Sequence, residues 1–259
     1  MANDFSKDAD CVAVWRFEAG ILLADKKGNN TLTAVTGTES ATAKEGSGSV
    51  AFSGTNQGAN IADAGLVAGF PLKNGDTIKR GTWLFWVQPQ TAIAGAEDYD
   101  DVLSKSDWNN SKMSLTIQIT GGNMVLNWGY GAGQDAESLV LLSPIANQWY
   151  HFGVAFDGIN KFVMARCWDD TAQEASTVTH AFENELRAAD VRLNFAASSN
   201  GAVYVNYCKC LLDEVAIFKR PLSADSIDRI RQQVYGAKGH YLIDRGRSRA
   251  MTKGISLGM

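Results

Sequence analysis

Residues 212–227 read Leu-Asp-Glu-Val-Ala-Ile-Phe-Lys-Arg-Pro-Leu-Ser-Ala-Asp-Ser-Ile, an apolar strand that runs directly into the start of a helix. Successive side chains of a strand point to opposite faces of its sheet. One face of this strand therefore consists of Asp213, Val215 and Ile217, and the other face consists of Glu214, Ala216 and Phe218. Because both faces are largely apolar, one of them can enter a core between two sheets.

A single short helix is predicted over residues 223–235, on the carboxyl side of this strand. Ser223 can cap its amino end, and Asp225 stands at the positive end of the helix dipole. The apolar stripe of the helix consists of Ile227, Ile230 and Val234. Gly236 can terminate it, because glycine tolerates the left-handed conformation that follows many helices. Weaker helical patterns are confined to residues 132–137 and 180–189.

Most of the remaining chain shows the period of two that is typical of strands. In residues 112–120, apolar residues alternate with Ser, Thr and Gln, which predicts one face on a core and one polar face outward. Other apolar runs predict strands at 11–17, 49–53, 82–87, 102–105, 123–128, 149–156, 161–168, 191–197 and 203–218, the last long enough for two. Tight turns are predicted at Gly121-Gly122 and at 157–160. About ten or more short strands at this spacing predict an all-β sandwich.

The composition indicates one large folded domain followed by a basic tail. Of 259 residues, 45% are hydrophobic and 20% are charged, which argues against a disordered chain. No repeat or linker divides residues 1–236, whereas residues 237–259 form a basic arm. The net charge of −4 argues against nucleic acid as a partner. No apolar run approaches the roughly 20 residues that cross a bilayer, and no signal peptide is recognisable. We therefore expect that the protein is made in a host cytoplasm and that it does not insert into a membrane.

Several segments occur in a recognisable order. They are residues 13–18, 25–33, 49–54, 81–89, 149–158 and 212–227. The ordered set resembles the laminin-G-like, concanavalin A-like jelly-roll family over residues 11–235. The resemblance implies a two-sheet antiparallel jelly-roll β-sandwich whose first strand pairs near the last. It leaves function open, because members include lectins, receptor-binding domains, glycoside hydrolases and structural modules of phage particles.

Catalytic residues are not apparent. A glucanase of this family would carry two carboxylates at alternate positions of one strand, and no Glu-x-Asp-x-Glu pattern occurs. The acidic run at 97–101 has a different spacing and reads as a solvated loop, with a cation site as the alternative. The three histidines are not placed in any nucleophile motif, and His151 reads as a structural residue of a strand. We therefore expect a protein that is not an enzyme.

A structural calcium is implied by the resemblance, at the place where the loop after the first strand meets the last strand. Carried over by position, its ligands would be Glu18, Asp25, Asn30 and Asp213. Hard cations of this kind need several oxygen ligands. The alternative is that Asp25 and Asn30 cap a turn and that Asp213 accepts backbone N–H bonds.

Glycan binding requires an aromatic platform beside amide or carboxylate groups. Three aromatic residues stand beside polar or flexible neighbours at strand ends. The ligand-binding candidates are Trp108 with Asn109, Trp128 with Tyr130, and Trp168 with Asp170.

Together these observations predict a non-enzymatic recognition or assembly protein. The acidic body, the basic arm and the lack of a signal peptide favour a phage virion component, either a capsid decoration protein or a tail-associated protein, that also binds glycan on the host surface. Its partners would be other virion proteins, contacted through the arm 237–259, and further copies of itself in a homo-oligomer. A free carbohydrate-binding lectin is the main alternative, and a glycoside hydrolase is the third.

Overall fold

Two β-sheets face each other across one continuous core. The computed structural model describes residues 5, 8–90, 99–107, 112–129, 136–182, 184–200 and 203–234. The strands pair in antiparallel fashion throughout, except where Ser199 pairs with Asp107 in parallel. The predicted all-β jelly-roll sandwich with a short helix is confirmed. The predicted arm 237–259 lies outside the described residues.

Sheet A carries the strand with which the sequence argument began. In spatial order it consists of β13 (Glu174–Ala181), β12 (Phe162–Asp169), β11 (Tyr150–Asp157), β6 (Arg80–Pro89), β17 (Lys209–Phe218), β4 (Ser49–Ser53) and β3 (Thr38–Ser40), while β1 (Cys11–Trp15) also pairs with β17. The first strand therefore lies beside the last, as the resemblance implied.

Sheet B lies opposite. In spatial order it consists of β10 (Ala136–Leu142), β9 (Asn123–Gly129), β8 (Lys112–Thr120), β7 (Asp100–Asp107), β14 (Leu193–Phe195), β5 (Ala59–Ile61) and β2 (Ala34–Val35). The short strands β15 (Ser198–Asn200) and β16 (Val203–Val205) pair with each other, and β15 also meets β7. A 3₁₀ turn, Asp63–Gly65, follows β5.

The core between the sheets is built from large aromatic and aliphatic side chains. Trp15 and Trp83 are fully buried in it, and Phe85 stacks on Phe152 with ring centroids 5.4 Å apart. Burying each such side chain contributes about 1.5 to 3 kcal/mol to folding. The alternation seen in residues 112–120 is confirmed, because Leu115, Ile117 and Ile119 all enter this core.

A β-bulge changes the predicted faces of β17. The pairing of β17 with β6 shifts between Asp213 and Ala216, and Glu214 adopts a left-handed conformation with φ 44°. The extra residue places Asp213 opposite Trp86 on the outer face of sheet A, whereas Val215 lies in the core. The prediction that Asp213 shares a face with Val215 is therefore wrong.

The helix α1 (Ala224–Arg231) packs on the outer face of sheet A. Its cap is confirmed, since the Ser223 hydroxyl accepts a hydrogen bond from the Ser226 N–H. Ile227 sits against Gly153, where any Cβ would approach Ile227 to within 2.5 Å. The helix ends at Arg231, several residues before Gly236, and Gln233 with φ 59° turns the chain away.

The weaker helical patterns do not form helices in the part of the chain that the structure describes. Ala136–Leu142 and Glu174–Ala181 are strands instead, at the edges of sheets B and A. They approach each other where the His180 imidazole contacts the Glu137 carboxylate at 3.0 Å. Of the helices in the described ranges, none has the length and hydropathy that spanning a bilayer requires.

Candidate functional site

A line of polar side chains crosses the outer face of sheet B in one register. We call it the polar row, and its members, strand by strand from β5 to β10, are Asn60, Asn194, Ser104, Thr116, Asn127 and Ser138. The next register of the same face carries Asp101 opposite Gln118. The core residues of these strands lie on the other face, so the polar row points away from the hydrophobic interior.

The polar row is deeply recessed along most of its length. Asn194, Ser104 and Thr116 have no solvent exposure, Asn127 is 8% exposed, and Ser138 on the edge strand is exposed. The outward polar face was predicted, but its burial was not. Solvent exposure therefore increases along the polar row toward the edge strand β10. We call the polar row, together with Asp101 and Gln118, the floor.

Several polar atoms of this floor have no hydrogen-bond partner in the structure. They are Thr116 Oγ1, Asn127 Nδ2, Asn194 Oδ1, Gln118 Oε1 and Asp101 Oδ1. A buried polar atom without a partner costs about 1 to 3 kcal/mol. Such a concentration on one face is typical of a surface that is completed by a bound molecule or by ordered water.

Asp101 is the acidic group of this floor. Its predicted place in a solvated loop is wrong, because Asp101 belongs to strand β7 and has no solvent exposure. Burial raises the pKa of its carboxyl to about 7, against hydrogen bonds that favour the charged form. One of these comes from the Asn206 side-chain amide, which donates to Asp101 Oδ2 at 3.1 Å. The floor therefore combines amides and hydroxyls with a carboxyl that changes charge near neutral pH, a set suited to hydrogen-bonding a polar ligand.

The predicted ligand-binding residues have different fates. Trp108, Asn109 and Tyr130 lie outside the described residues, in the connections that follow β7 and β9 of sheet B. Trp128 is 1% exposed and packs in the core against Phe182, with ring centroids 6.0 Å apart. The alternation of β9 turns Trp128 toward the interior, and a ligand contact by Trp128 stays a prediction.

Trp168 and Asp170 are brought together, but on sheet A. The Trp168 indole N–H donates to Asp170 Oδ1 at 3.3 Å, and the Arg231 guanidinium lies 3.6 Å from the centroid of the Trp168 ring. Asp170 also forms an ion pair with Lys44 at 2.5 Å. These contacts attach the helix and the segment around Lys44 to sheet A, so the pair serves internal packing in this structure.

His151 lies between Trp86 and Trp168 in the same register of sheet A. It is buried, its ring approaches that of Trp86 edge-on at 5.0 Å, and burial lowers its pKa to about 3, with the nearby Arg231 adding to the effect. A neutral, enclosed imidazole of this kind fits the structural role predicted for it.

The predicted calcium ligands divide into two separate groups. Asp25 accepts backbone N–H bonds from Val14, Lys27, Asn29 and Asn30. The side-chain oxygen of Asn30 accepts from the Val67 N–H at 2.9 Å. These donors occupy the oxygens that a cation would need. The arrangement is the one expected if Asp25 and Asn30 cap a turn.

The second group surrounds residues 44–47. Asp213 accepts the Lys44 and Glu45 backbone N–H groups at 2.8 and 2.9 Å, and Glu18 accepts the Ser47 N–H. Over the described ranges, no three His, Cys, Asp or Glu side chains come together in a way that could hold a metal ion. The geometry does not assemble the predicted four-residue site, and calcium binding as such stays a prediction.

Comparison with known families decides the classification. The model of the concanavalin A-like lectin/glucanases superfamily, of the laminin G type, matches residues 53–228. The chain belongs to this superfamily. The match includes sheet B from β5 onward and the closing strand β17, and therefore the whole polar row. No curated protein is significantly similar in sequence.

Several solved structures share this fold. The binding domain of botulinum neurotoxin DC in complex with SialylT has a TM-score of 0.62 at 10% identity, covering 87% of this chain and 52% of that one. The binding domain of Paraclostridial Mosquitocidal Protein 1 has a TM-score of 0.61 at 13% identity, covering 86% and 52%. This chain thus spans about half the length of these neighbours, and at such identities the likeness concerns the fold alone.

Proposed function

We propose that this protein is a non-enzymatic glycan-binding module and that the polar row is its binding surface. The observation that carries the proposal is the set of recessed polar atoms without partners, among them Thr116 Oγ1, Asn127 Nδ2 and Asn194 Oδ1. Sugar hydroxyls both donate and accept hydrogen bonds, so an oligosaccharide can satisfy amides and hydroxyls together. The free energy that these atoms forgo in the empty protein becomes available on binding.

Apolar side chains beside the row support a sugar rather than another polar ligand. Val125 and Val140 continue the register of Gln118 toward the edge of sheet B, and Val140 is 56% exposed. A pyranose presents an apolar C–H face as well as hydroxyl edges, and pockets for such ligands combine apolar walls with a few polar groups.

Proteins of similar fold give the proposal further support. Binding domains of botulinum neurotoxin DC are known in complex with SialylT and, in another structure, with rat synaptotagmin II. A protein that contains this fold therefore binds a glycan in one complex and a protein in another. For this chain, the composition of the recessed floor favours the glycan.

Removing the polar atoms should separate binding from stability. We expect Thr116→Val and Asn194→Leu, singly or combined, to weaken the affinity for an oligosaccharide found by array screening by tenfold or more, as measured by calorimetry. The thermal stability of Thr116→Val should stay equal or rise, because an unsatisfied buried polar atom is replaced by an apolar group of similar shape. Asn194→Leu also loses the hydrogen bond from its amide to the Arg192 carbonyl at 3.3 Å, so its thermal stability should change little in either direction. The bound oligosaccharide should be recovered intact.

Thr179→Val is the matched control, since Thr179 is exposed on the edge strand of sheet A. It should leave the affinity unchanged. If the unaltered protein binds no oligosaccharide, or if the polar-row variants bind as well as the parent, the proposal fails.

A second role concerns assembly, and the distribution of charge favours it. Residues 236–259 carry a net charge of +4 and leave −8 on the first 235 residues. A basic arm can dock on an acidic neighbouring surface in a salt-dependent way. We therefore propose that the glycan-binding module is a virion component, a capsid decoration or tail-associated protein, joined to its particle through residues 237–259.

Truncation tests this role separately from glycan binding. A chain that stops at Gly236 should keep its β-type circular dichroism spectrum and its glycan affinity, yet fail to join its particle or oligomer. Sedimentation of mixtures with the purified particle measures the association. Normal assembly of the truncated chain would exclude the arm as the point of attachment.

A further inference from the structure

We infer that the polar row selects neutral or amino-bearing glycans and rejects anionic ones, an inference that rests on the proposed glycan binding at this site. The residues that would determine the selectivity are Asp101, Gln118 and Asn194. The charge and the hydrogen-bonding sense of these groups carry the inference.

The partnerless atoms of the floor are mainly acceptors. Asp101 Oδ1, Gln118 Oε1 and Asn194 Oδ1 are oxygens, and Asn194 already uses its amide N–H on the carbonyl of Arg192 at 3.3 Å. Asn127 Nδ2 is the one obligate donor among the five atoms, and the Thr116 hydroxyl can act in either sense. Such a floor favours a ligand that supplies hydroxyl, amide or ammonium donors. A carboxylate or sulfate group supplies none.

Cationic side chains on the strands of sheet B do not make up for this lack of donors toward an anionic group. In the strands of sheet B that the structure describes, the cationic residues are Lys105 and Lys112. Lys105 Nζ faces the interior, where it binds Asp63 and the carbonyls of Ala189 and Val191. Lys112 begins β8, four residues before Thr116, which is roughly 13 Å along an extended strand.

Three of the connections that begin or end at these strands are acidic by sequence. By sequence, residues 91–98, 108–111 and 130–135 contain no Lys, Arg or His, whereas they contain Glu97, Asp98 and Asp135. Like charges repel, and the repulsion is strongest where water is partly excluded, as on a recessed floor. An anionic sugar would therefore meet unfavourable charge from the Asp101 carboxylate of the floor.

Besides Arg187, whose backbone N–H donates to the Gly129 carbonyl at 3.0 Å, Arg192 is the cation that could overturn this inference. It precedes β14 by one residue and is half-buried, close in sequence to Asn194. If its guanidinium served the ligand, an anionic sugar would be preferred instead. The test must therefore include this residue.

The experiment compares matched oligosaccharides on the full chain by calorimetry: a neutral oligosaccharide, its sialylated or sulfated form, and its de-N-acetylated amine. We expect the neutral and amine forms to bind at least tenfold more tightly than the anionic form, and the difference to shrink in 0.5 M salt. Asp101→Asn keeps an acceptor for Asn206 and removes the charge, so it should narrow the difference at pH 8. The control Glu174→Gln removes an exposed charge on sheet A and should leave the difference unchanged.

Failure of the inference and failure of the proposed function give different results. Equal affinities, or tighter binding of the anionic form that is lost in Arg192→Gln, would refute the selectivity while the glycan-binding function stands. Absence of binding to every oligosaccharide of all three classes would refute the proposed function itself.

Discussion

Replacing Lys105 by methionine is expected to lower the free energy of unfolding by about 3 to 5 kcal/mol. Lys105 is fully buried, and its ammonium donates to Asp63 at 2.6 Å, to the Ala189 carbonyl at 2.6 Å and to the Val191 carbonyl at 3.0 Å. All three donors are thereby used. Burial lowers the pKa of Lys105, although Asp63 favours the charged form. Without the ammonium, a buried carboxylate and two carbonyls lose their partner.

Chemical denaturation of matched variants measures this effect. Lys79→Met breaks the exposed ion pair with Glu185 and should change the free energy of unfolding little. Lys105→Met combined with Asp63→Asn should recover part of the loss, because the uncompensated charge is gone. A cost for Lys105→Met as small as that of Lys79→Met would show that water or another side chain takes the place of the ammonium.

The interior position of Lys105 also shows where prediction from sequence ends. Residues 102–105 were recognised as a strand, and residues 112–120 were predicted with their bounds, because apolar and polar residues alternate there. Alternation reports which side chains share a face. It does not report that a segment near Ala189, far along the chain, covers one end of that face and supplies carbonyl acceptors.

The polar row illustrates the same limit at the candidate site. The outward polar face of β8 follows from its period of two, and Thr116 was placed on it correctly. The alignment of Asn60 with Asn194, or of Ser104 with Thr116, depends on register between strands distant in sequence, which a single sequence does not encode in any local pattern. The sequence does contain a signal for the burial of Trp128, because Met124, Leu126 and Trp128 alternate in one apolar series.

Edge strands and the bulge account for the remaining differences between the structure predicted from the sequence and the observed structure. β10 and β13 are half-exposed strands of mixed composition, so their sequences lack the alternation of a strand with one buried face. The bulge at Glu214 inserts one residue into an otherwise regular apolar run. Its left-handed backbone could not be predicted from the sequence, because the residue there is not a glycine. That bulge brings Asp213 and Glu214 close to Glu45, which belongs to the segment 44–47.

The clustered carboxyls predict a fold that loses stability as the pH rises. Burial raises the pKa of Asp213 to about 7, and the charge of Glu45 adds to the shift. Burial and Glu45 likewise raise the pKa of Glu214 to about 9, while Arg16 opposes the shift from 3.6 Å. Between the unfolded value of 3.8 and about 7, native Asp213 holds a proton that the unfolded chain has lost, so stability falls over this interval.

Asp213→Asn should therefore stabilise the protein at alkaline pH and have little effect at pH 4. A shift from 3.8 to about 7 corresponds to about 4 kcal/mol at pH 8.5, or on the order of 10 °C in Tm for a domain of this size. The asparagine oxygen can still accept the Lys44 and Glu45 N–H bonds that hold residues 44–47 on sheet A. Thermal melts at pH 4, 6 and 8.5, with Glu174→Gln as the exposed control, measure the difference.

The pH profile distinguishes this account from its opposite. If Asp213 is instead ionised in the native state and stabilised by its two backbone donors, the loss of charge weakens both bonds, and Asp213→Asn destabilises the protein by a nearly constant amount at every pH above the unfolded value of 3.8. If burial and the neighbouring carboxyls dominate, the variant gains on the parent over the same range. The sign of the Tm difference at pH 8.5 therefore decides whether the carboxyl beneath residues 44–47 is held as an acid or as its anion.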